Sequence, residues 1–195
     1  MAHASLKFKE ISNLRAIGCG LVVPHDIEAT LNDAIPGMLV KMQVSYDEKL
    51  RRVTPSWITV TRTGTPEISL ATLQKLTIRE YCISIFSTAV KVVDDGSTGM
   101  AMVTLARPFD EVLHDLDNDS LRDAGPSDPR TLLWVGRAYR YAEATGQNPA
   151  KQVEKVFGIS HATASRWISR ARRQIPDWNG DELQPFLDGL RLEPM

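Results

Sequence analysis

Apolar and polar residues alternate from Val40 to Tyr46. The apolar side chains fall at every second position, which predicts a half-buried β-strand. A second β-rich run, Trp57 to Thr63, ends at the turn-forming segment Gly64-Thr65-Pro66. The two runs together predict a β-hairpin or a small meander. Because two strands are only marginally stable alone, helices are expected to pack on them.

Helical signals lie on both sides of this hairpin. Apolar residues from Ile27 to Ile35 recur at a spacing of four, which predicts one short helix. Thr77-x-x-Glu80 has the pattern of a capping box and predicts the start of a second helix, with an apolar stripe from Ile78 to Val93. Residues 1–107 are therefore predicted to form an α+β domain with a role in oligomerisation or effector binding.

Start and stop signals divide residues 129–175 into three helices. Asp128-Pro129 and Asn148-Pro149 each place a capping side chain before a proline at the first helical position. Gly158 supplies the left-handed backbone conformation that ends the second helix, and Ser160 caps the third. The segment Ala150 to Ser169 thus has the spacing of a helix-turn-helix.

The third helix is predicted to have two unlike faces. Ala164, Trp167 and Ala171 recur at spacings of three and four, which predicts an inner face packed on the second helix. The opposite face carries short polar and guanidinium side chains, which are able to enter a major groove and contact base edges or phosphates. Its members are His161, Ala162, Ser165, Arg166, Ser169 and Arg170.

The charges of the chain are segregated, although the formal net charge of the 195 residues is only -1. Residues 130–175 hold nine basic and two acidic side chains, a local charge of +7. Acidic side chains predominate in residues 110–129 and again from Pro176 onwards. A basic block between acidic ones is typical of a polyanion-binding module, although a solvated, salt-bridged helical face has the same composition.

The segment Phe157 to Ile168 resembles the turn and recognition helix of resolvase-, transposase- and repressor-type helix-turn-helix proteins. The larger stretch Arg130 to Arg173 resembles the C-terminal DNA-binding module of small proteins from high-GC Gram-positive bacteria and their phages. The resemblance implies that the third helix reads DNA through Ser160, His161, Ala162, Ser165, Arg166 and Ser169. Arg170, Arg172 and Arg173, near the end of the helix, are expected to contact phosphates.

One residue departs from the pattern of these families. Glu154 stands in the middle of the second helix, where a small residue is usual. A carboxylate buried between two helices is costly, so we expect Glu154 to turn outward or to pair with a basic neighbour such as Arg166.

Signals for catalysis and metal binding are lacking. The four histidines are scattered and the two cysteines, Cys19 and Cys82, are far apart, so neither a metal site nor a disulfide framework is predicted. The sequence has no glycine-rich phosphate loop and no Gly-x-Ser-x-Gly motif. We expect no enzymatic activity, no cofactor and no bound metal. The low cysteine content and the lack of an apolar run of about 20 residues indicate a cytoplasmic protein without a membrane partner.

The predicted fold is α+β, with a small N-terminal β-hairpin and helix domain followed by an all-α three-helix helix-turn-helix domain. The predicted domains are the N-terminal domain 1–107, an acidic linker 108–128, the DNA-binding domain 129–175 and an acidic tail 176–195. The predicted function is sequence-specific binding of double-stranded DNA, as a transcriptional regulator of a chromosomal or phage-derived locus. A homodimer would place two recognition helices about 34 Å apart on the DNA. One alternative is a protein-interaction adaptor of a phage or replication complex without sequence-specific DNA binding. Another is a promoter reader similar to sigma factors, which the ending Arg170-Ala171-Arg172-Arg173 resembles, although the polymerase-binding helices of that family are not recognisable upstream.

Overall fold

The computed structural model describes residues 4–8, 14–64, 67–74, 76–93 and 106–189. The strands of this part of the chain are β1 (Ala4–Phe8), β2 (Leu14–Gly18), β3 (Leu21–Pro24), β4 (Asp26–Ile35), β5 (Met38–Asp47), β6 (Arg52–Arg62), β7 (Lys91–Val92) and β8 (Arg107–Pro108). The helices are α1 (Leu70–Leu73), α2 (Ile78–Ala89), α3 (Phe109–His114), α4 (Asn118–Ala124), α5 (Pro129–Ala144), α6 (Pro149–Phe157), α7 (His161–Gln174) and α8 (Gln184–Gly189), with a 3-10 turn at Gly125–Ser127.

The first sheet has the order β1-β4-β5-β6, and all its pairs are antiparallel. The alternation from Val40 to Tyr46 is confirmed, because the apolar side chains in this stretch of β5 are buried and the polar ones are at least partly exposed. Helix α2 packs on this sheet, and the ring of Phe86 stacks on that of Tyr46 with centroids 6.2 Å apart. Strand β6 is an edge strand, which explains why it tolerates Pro55.

The helix predicted between Ile27 and Ile35 is wrong, because these residues form β4. A spacing of four is a multiple of the two-residue repeat of a strand as well as about one helical turn. Ala29 is also buried, at 3% exposure, whereas Glu28 and Thr30 on either side of it are partly exposed. The alternation around Ala29 therefore identifies the strand.

The second sheet has the order β2-β3-β7-β8 and is also antiparallel. Strands β2 and β3 form a hairpin whose turn contains Cys19, a non-glycine residue with a φ of 55°. Strands β7 and β8 have two residues each. Such short strands leave no periodic pattern in a sequence, and the second sheet was not predicted.

The helices before α5 differ from the sequence prediction at several points. Helix α2 ends at Ala89 and does not continue along the apolar stripe to Val93, because Lys91–Val92 form β7. Helix α2 begins at Ile78, but the side chain of Thr77 makes no capping hydrogen bond, so the predicted capping box is wrong. The backbone of Thr77 has a ψ of 66°, outside the extended conformation that capping residues adopt. The acidic residues that follow position 108 form α3 and α4, and Asp117 caps α4 by accepting a hydrogen bond from the backbone N–H of Ser120.

The start signals of the last three long helices are confirmed. The carboxylate of Asp128 accepts a hydrogen bond from Arg130 N, and the side chain of Asn148 accepts one from Lys151 N. Helix α6 ends at Gly158, whose φ of 61° lies in the left-handed region, and Ser160 caps α7. Local sequence was sufficient for these features because each is formed by residues within four positions of one another.

The predicted fold is nevertheless wrong, because the structure has two four-stranded sheets and its C-terminal part is not a simple three-helix unit. Phe109 of α3 stacks on Tyr141 of α5 at a centroid distance of 4.4 Å. The guanidinium of Arg140 in α5 donates a 2.6 Å hydrogen bond from Nε to the carbonyl of Ile17 in β2. Periodicity in the sequence indicates where a helix lies but not which other elements it packs against. The division into domains stays a prediction.

The chain that follows α7 packs against the second sheet. Trp178 and Leu187 are buried. The side chain of Gln184 bonds two backbone groups of β2, accepting from Ala16 N at 2.8 Å and donating to Leu14 O at 3.3 Å. This segment therefore brings residues near the end of the described chain against residues near its start.

Candidate nucleic-acid interface

Helix α7 is held at both its start and its inner face. The hydroxyl of Ser160 accepts a hydrogen bond from Thr163 N, which fixes the first turn. Ala164, Trp167 and Ala171 are buried, as the spacing predicts. The ring of Trp167 meets that of Phe157 in α6 edge to face, with centroids 5.6 Å apart. The helix is therefore a rigid support for the side chains on its other side.

The other side of α7 carries what we call the arginine face, formed by Ser165, Arg166, Ser169, Arg170 and Arg173. These side chains line a cleft of about 640 Å³ that Pro126, in the 3-10 turn, helps to form. Arg166, Ser165 and Arg173 are exposed, and Arg170 is half-buried.

The charges of the arginine face are not neutralised. The Nε atoms of Arg166 and Arg173 each donate to a backbone carbonyl one turn earlier, Ala162 O and Ser169 O, at 3.3 Å. Within the described ranges, neither these two guanidinium groups nor that of Arg170 forms an ion pair with a carboxylate. Three positive charges at spacings of three and four residues attract an anion with a matching repeat.

The first turn of α7 differs from this pattern. His161 Nδ1 lies 2.6 Å from the Oε1 atom of Glu154 in α6. Glu154 therefore pairs with His161 and not with the Arg166 suggested by sequence. The imidazole keeps 71% of its side-chain surface exposed, and the neighbouring Ala162 is exposed as well. Ser160, His161 and Ala162 lie at the N-terminal end of the arginine face, next to the carboxylate of Glu154.

Arg172 lies apart from the other predicted site residues. Its guanidinium stacks over the ring of Tyr139, at 5.3 Å, and over that of Trp178, at 5.5 Å. It also donates a 2.9 Å hydrogen bond to the Tyr139 hydroxyl. Of the nine residues predicted to contact DNA, the structure brings five together on the arginine face, three at the first turn and one, Arg172, at a second cavity.

Two arginines of the basic block are buried, which sequence reasoning missed. Arg137 is 5% and Arg140 is 2% exposed. Arg137 donates to the carbonyls of Cys19 and Val93, and its guanidinium lies 4.9 Å from the ring centroid of Trp134. Arg137 and Arg140 are three positions apart and lie within the apolar stripe of α5, so they share a face of the helix. This pattern could have indicated from the sequence that both side chains point towards the interior. Because these two charges are buried, the local charge of +7 counted from the sequence is larger than the charge that is accessible to a binding partner.

The thiols are poor metal ligands in their present surroundings. Burial raises the pKa of Cys19 to about 12, although Arg140 and Arg137 oppose the shift. Burial likewise raises the pKa of Cys82 to about 11. Thiolates, not thiols, bind metals, so both groups are disfavoured as ligands. Across the described part of the chain no three histidine, cysteine or acidic side chains come together in a group that could hold a metal ion.

Among the described residues, no helix combines the length and the apolar character that a membrane crossing requires.

Comparison with known proteins finds one similarity. Residues 67–162, just under half of the chain, match the model of the family DUF4213, whose description reads "Putative heavy-metal chelation". No curated protein and no solved structure matches the chain. The match begins before α1 and ends at the second residue of α7, so the arginine face lies beyond it.

The resemblance to resolvase-, transposase- and repressor-type proteins is therefore wrong. The family whose model matches residues 67–162, and so covers only part of the segment that carried the resemblance, is a different one, and no helix-turn-helix DNA-binding family is found. The same finding overturns the classification drawn from the resemblance, that of a phage-related transcription regulator of the helix-turn-helix class. Capped helices joined by a glycine-containing turn are common where two helices meet at a steep angle. This local pattern alone therefore does not show that the chain is related to a DNA-binding family.

Proposed function

We propose that the chain binds double-stranded DNA through the arginine face of α7. The observation that carries the proposal is the set of three guanidinium groups on one exposed helical side, none of them in an ion pair within the described residues. The proposal rests on this geometry and not on kinship with any DNA-binding family.

The arginine face suits a polyanion whose charges are closely and regularly spaced. Residues at spacings of three and four along a helix have Cβ atoms about 5–6 Å apart. A nucleic-acid strand carries one negative charge for about every 3.4 Å of helix axis, so the three guanidinium groups can each meet a different phosphate. Ser165 and Ser169 are short, so they allow the backbone of α7 to approach a groove closely. The Ser169 hydroxyl already donates to Ser165 O, at 2.9 Å, and accepts further hydrogen bonds through its lone pairs.

Within this proposal the residues have different roles. Arg166, nearer the start of α7, contacts a base edge in the major groove, whereas Arg170 and Arg173 contact phosphates. His161 shares its Nδ1 side with Glu154, so its remaining ring nitrogen is the one that faces the DNA. A homodimer supplies the second copy of α7 that specific affinity usually needs. We also place the chain in the cytoplasm, since its cysteines are free.

The test is a titration of the full chain with fluorescent duplex DNA at several salt concentrations. We expect the logarithm of the affinity to fall linearly with that of the salt concentration. In the variant Arg170→Gln/Arg173→Gln the slope should decrease by about 0.9 for each phosphate that is no longer neutralised. Arg166→Gln should weaken binding to preferred genomic fragments by about 1–3 kcal/mol and binding to random duplexes less.

Arg62→Gln is the matched control, because Arg62 is an exposed arginine at the end of an edge strand outside α7. It should bind DNA as the unmodified chain does. Duplex binding that is absent, or unchanged in the arginine-face variants, would refute the proposal. In that case the alternative of an adaptor that docks an acidic protein through the same side chains becomes the better one.

Heavy-metal chelation, the description of the matched family, is not supported by the described residues of this chain. They contain no group of three suitable ligands, and Cys82, the cysteine inside the match, is buried with a raised pKa. His161 and Glu154 form a pair, but no third histidine, cysteine or acidic side chain of the described ranges joins them in a group that could hold a metal ion. The donor set therefore does not fit a soft metal ion.

A further inference from the structure

A second cavity, of about 590 Å³, lies beside the end of α7, next to Arg172. Three arginines from separate parts of the fold line it: Arg51 from the turn after β5, Arg140 from α5 and Arg172 from α7. Glu143 contributes the one carboxylate of this lining. Ile175 and Pro176 form an apolar wall.

Two of these arginines are held in place by neutral partners. Arg51 donates from Nη1 to the Asn179 side-chain oxygen at 2.7 Å, and its backbone has a φ of 51°, a conformation that side chains other than glycine adopt at a cost. Arg172 is stacked on Tyr139 and Trp178. Because these side chains are already ordered, less conformational entropy is lost when a ligand binds.

The charge of the cavity is only partly balanced. The Nη1 group of Arg140 pairs with Glu143, and its Nε donates to Ile17 O, so this arginine is nearly neutralised. Arg51 and Arg172 have no carboxylate partner among the described residues. The lining therefore keeps about two positive charges beside an apolar wall.

We propose that this cavity binds a small phosphomonoester, whose phosphate lies between Arg51 and Arg172 and whose organic part lies against Ile175 and Pro176. Guanidinium groups that converge from two elements offer paired N–H donors to several oxygens of one tetrahedral phosphate. The volume is in the range of small-molecule sites and larger than inorganic phosphate needs. The proposal does not depend on DNA binding by the arginine face.

The test is calorimetric titration of the full chain with adenosine monophosphate, adenosine and inorganic phosphate. We expect saturable binding of one adenosine monophosphate per chain, much weaker binding of adenosine, and competition by inorganic phosphate. Arg51→Gln and Arg172→Gln should each weaken the binding of adenosine monophosphate at least about tenfold, as expected when a charge-assisted hydrogen bond is removed. Should one of these variants not fold, the other carries the test.

Two controls separate this site from general attraction of a phosphate to exposed arginines. Arg62→Gln and Arg130→Gln remove the same charge from exposed positions outside both cavities and should bind adenosine monophosphate like the unmodified chain. The proposal is overturned if adenosine monophosphate does not saturate the chain at millimolar concentration, if adenosine binds equally well, or if all four variants lose affinity to the same extent.

Discussion

At the scale of single residues, Asp26 shows how a surface carboxylate can stabilise this fold. Its partial burial would raise its pKa, but hydrogen bonds from Ser45, His25 and Gln43 outweigh that effect and lower the pKa to about 2. Ser45 Oγ and Gln43 Nε2 donate to the same carboxylate oxygen, at 2.6 and 2.8 Å. These contacts tie the start of β4 to the middle of β5, two strands whose pairing forms the centre of the first sheet.

The lowered pKa of Asp26 predicts how stability depends on pH. Since the folded-state pKa of about 2 lies below the value of about 3.9 in the unfolded chain, the stabilisation is complete above pH 4 and is lost as the pH falls towards 2. Allowing for solvent screening, we expect Asp26→Asn to lower the free energy of unfolding by about 1–2 kcal/mol at pH 7 and by less near pH 2. Urea unfolding across this pH range measures both effects.

Asp181→Asn is the control for this experiment, because Asp181 is exposed and lies near the far end of the described chain. Its unfolding free energy should differ only slightly from that of the unmodified chain, because the charge of Asp181 is one of the smaller causes of the raised pKa of Asp177. A constant difference between Asp26→Asn and the unmodified chain from pH 7 to pH 2 would show that the carboxylate is not stabilised as described.

At the scale of elements, the turn between α6 and α7 determines the direction of the arginine face. Gly158 has a φ of 61°, and among the described residues a Cβ atom placed there would meet only the Nη1 atom of Arg122, at 3.8 Å. Backbone strain and not a clash is therefore the cost of a side chain. We expect Gly158→Ala to lower the free energy of unfolding by about 1–2 kcal/mol.

Gly158→Asn distinguishes backbone strain from crowding. Asparagine tolerates the left-handed conformation better than alanine, so this variant should be more stable than Gly158→Ala although its side chain is larger. Thermal unfolding of the two variants gives the comparison. If asparagine is the more destabilising substitution, the space around the turn and not its backbone conformation is limiting.

The elements also show where sequence reasoning succeeds. The starts of α5, α6 and α7 were predictable, because Asp128, Asn148 and Ser160 bond backbone groups two or three residues ahead. Strand β4 was not, because a spacing of four satisfies two periodicities. The second sheet depends on β7 and β8, which are too short to leave a pattern, and β7 pairs with a strand far away in sequence.

In the candidate site, too, features set by nearby residues could be predicted from the sequence, whereas features set by distant residues could not. The burial of Trp167 and the exposure of Arg166 could be predicted from helical periodicity alone. The direction of Arg172 could not, because it is set by Tyr139 and by Trp178, a residue beyond the end of α7. The cavity beside Arg51 could not be predicted from the sequence either, since its lining brings together residues more than a hundred positions apart.

At the scale of the whole molecule, three distant segments meet beside Gly136 in α5. The turn between β2 and β3 is bonded to the segment after α7, because Cys19 N donates to Asp177 O at 2.8 Å. The same turn accepts a hydrogen bond at Cys19 O from Arg137, at 3.1 Å. The first and last parts of the described chain are thus joined through one face of α5.

The close approach at this junction requires a glycine. A Cβ atom at Gly136 would lie 2.7 Å from Cys19 Sγ and 2.8 Å from Ile175 Cδ1, both closer than ordinary van der Waals contact. Alanine is favoured over glycine within a helix by about 1 kcal/mol, whereas overpacking a filled interior costs about 1–3 kcal/mol. Because Cys19 is buried and hydrogen-bonded through its backbone on both sides, we expect the overpacking to prevail and Gly136→Ala to be destabilising.

A double-mutant cycle with Cys19→Ala identifies the cause of this destabilisation. Removing Sγ makes room for the new methyl group, so the combined variant should be more stable than the sum of the two single effects predicts. Gly189→Ala is the control, since a Cβ atom there meets no atom of the described residues within 4 Å. Chemical unfolding of these chains measures the coupling. Additive single effects, or a Gly136→Ala variant as stable as Gly189→Ala, would mean that the turn yields to the side chain and that the three segments are joined less tightly than their distances indicate.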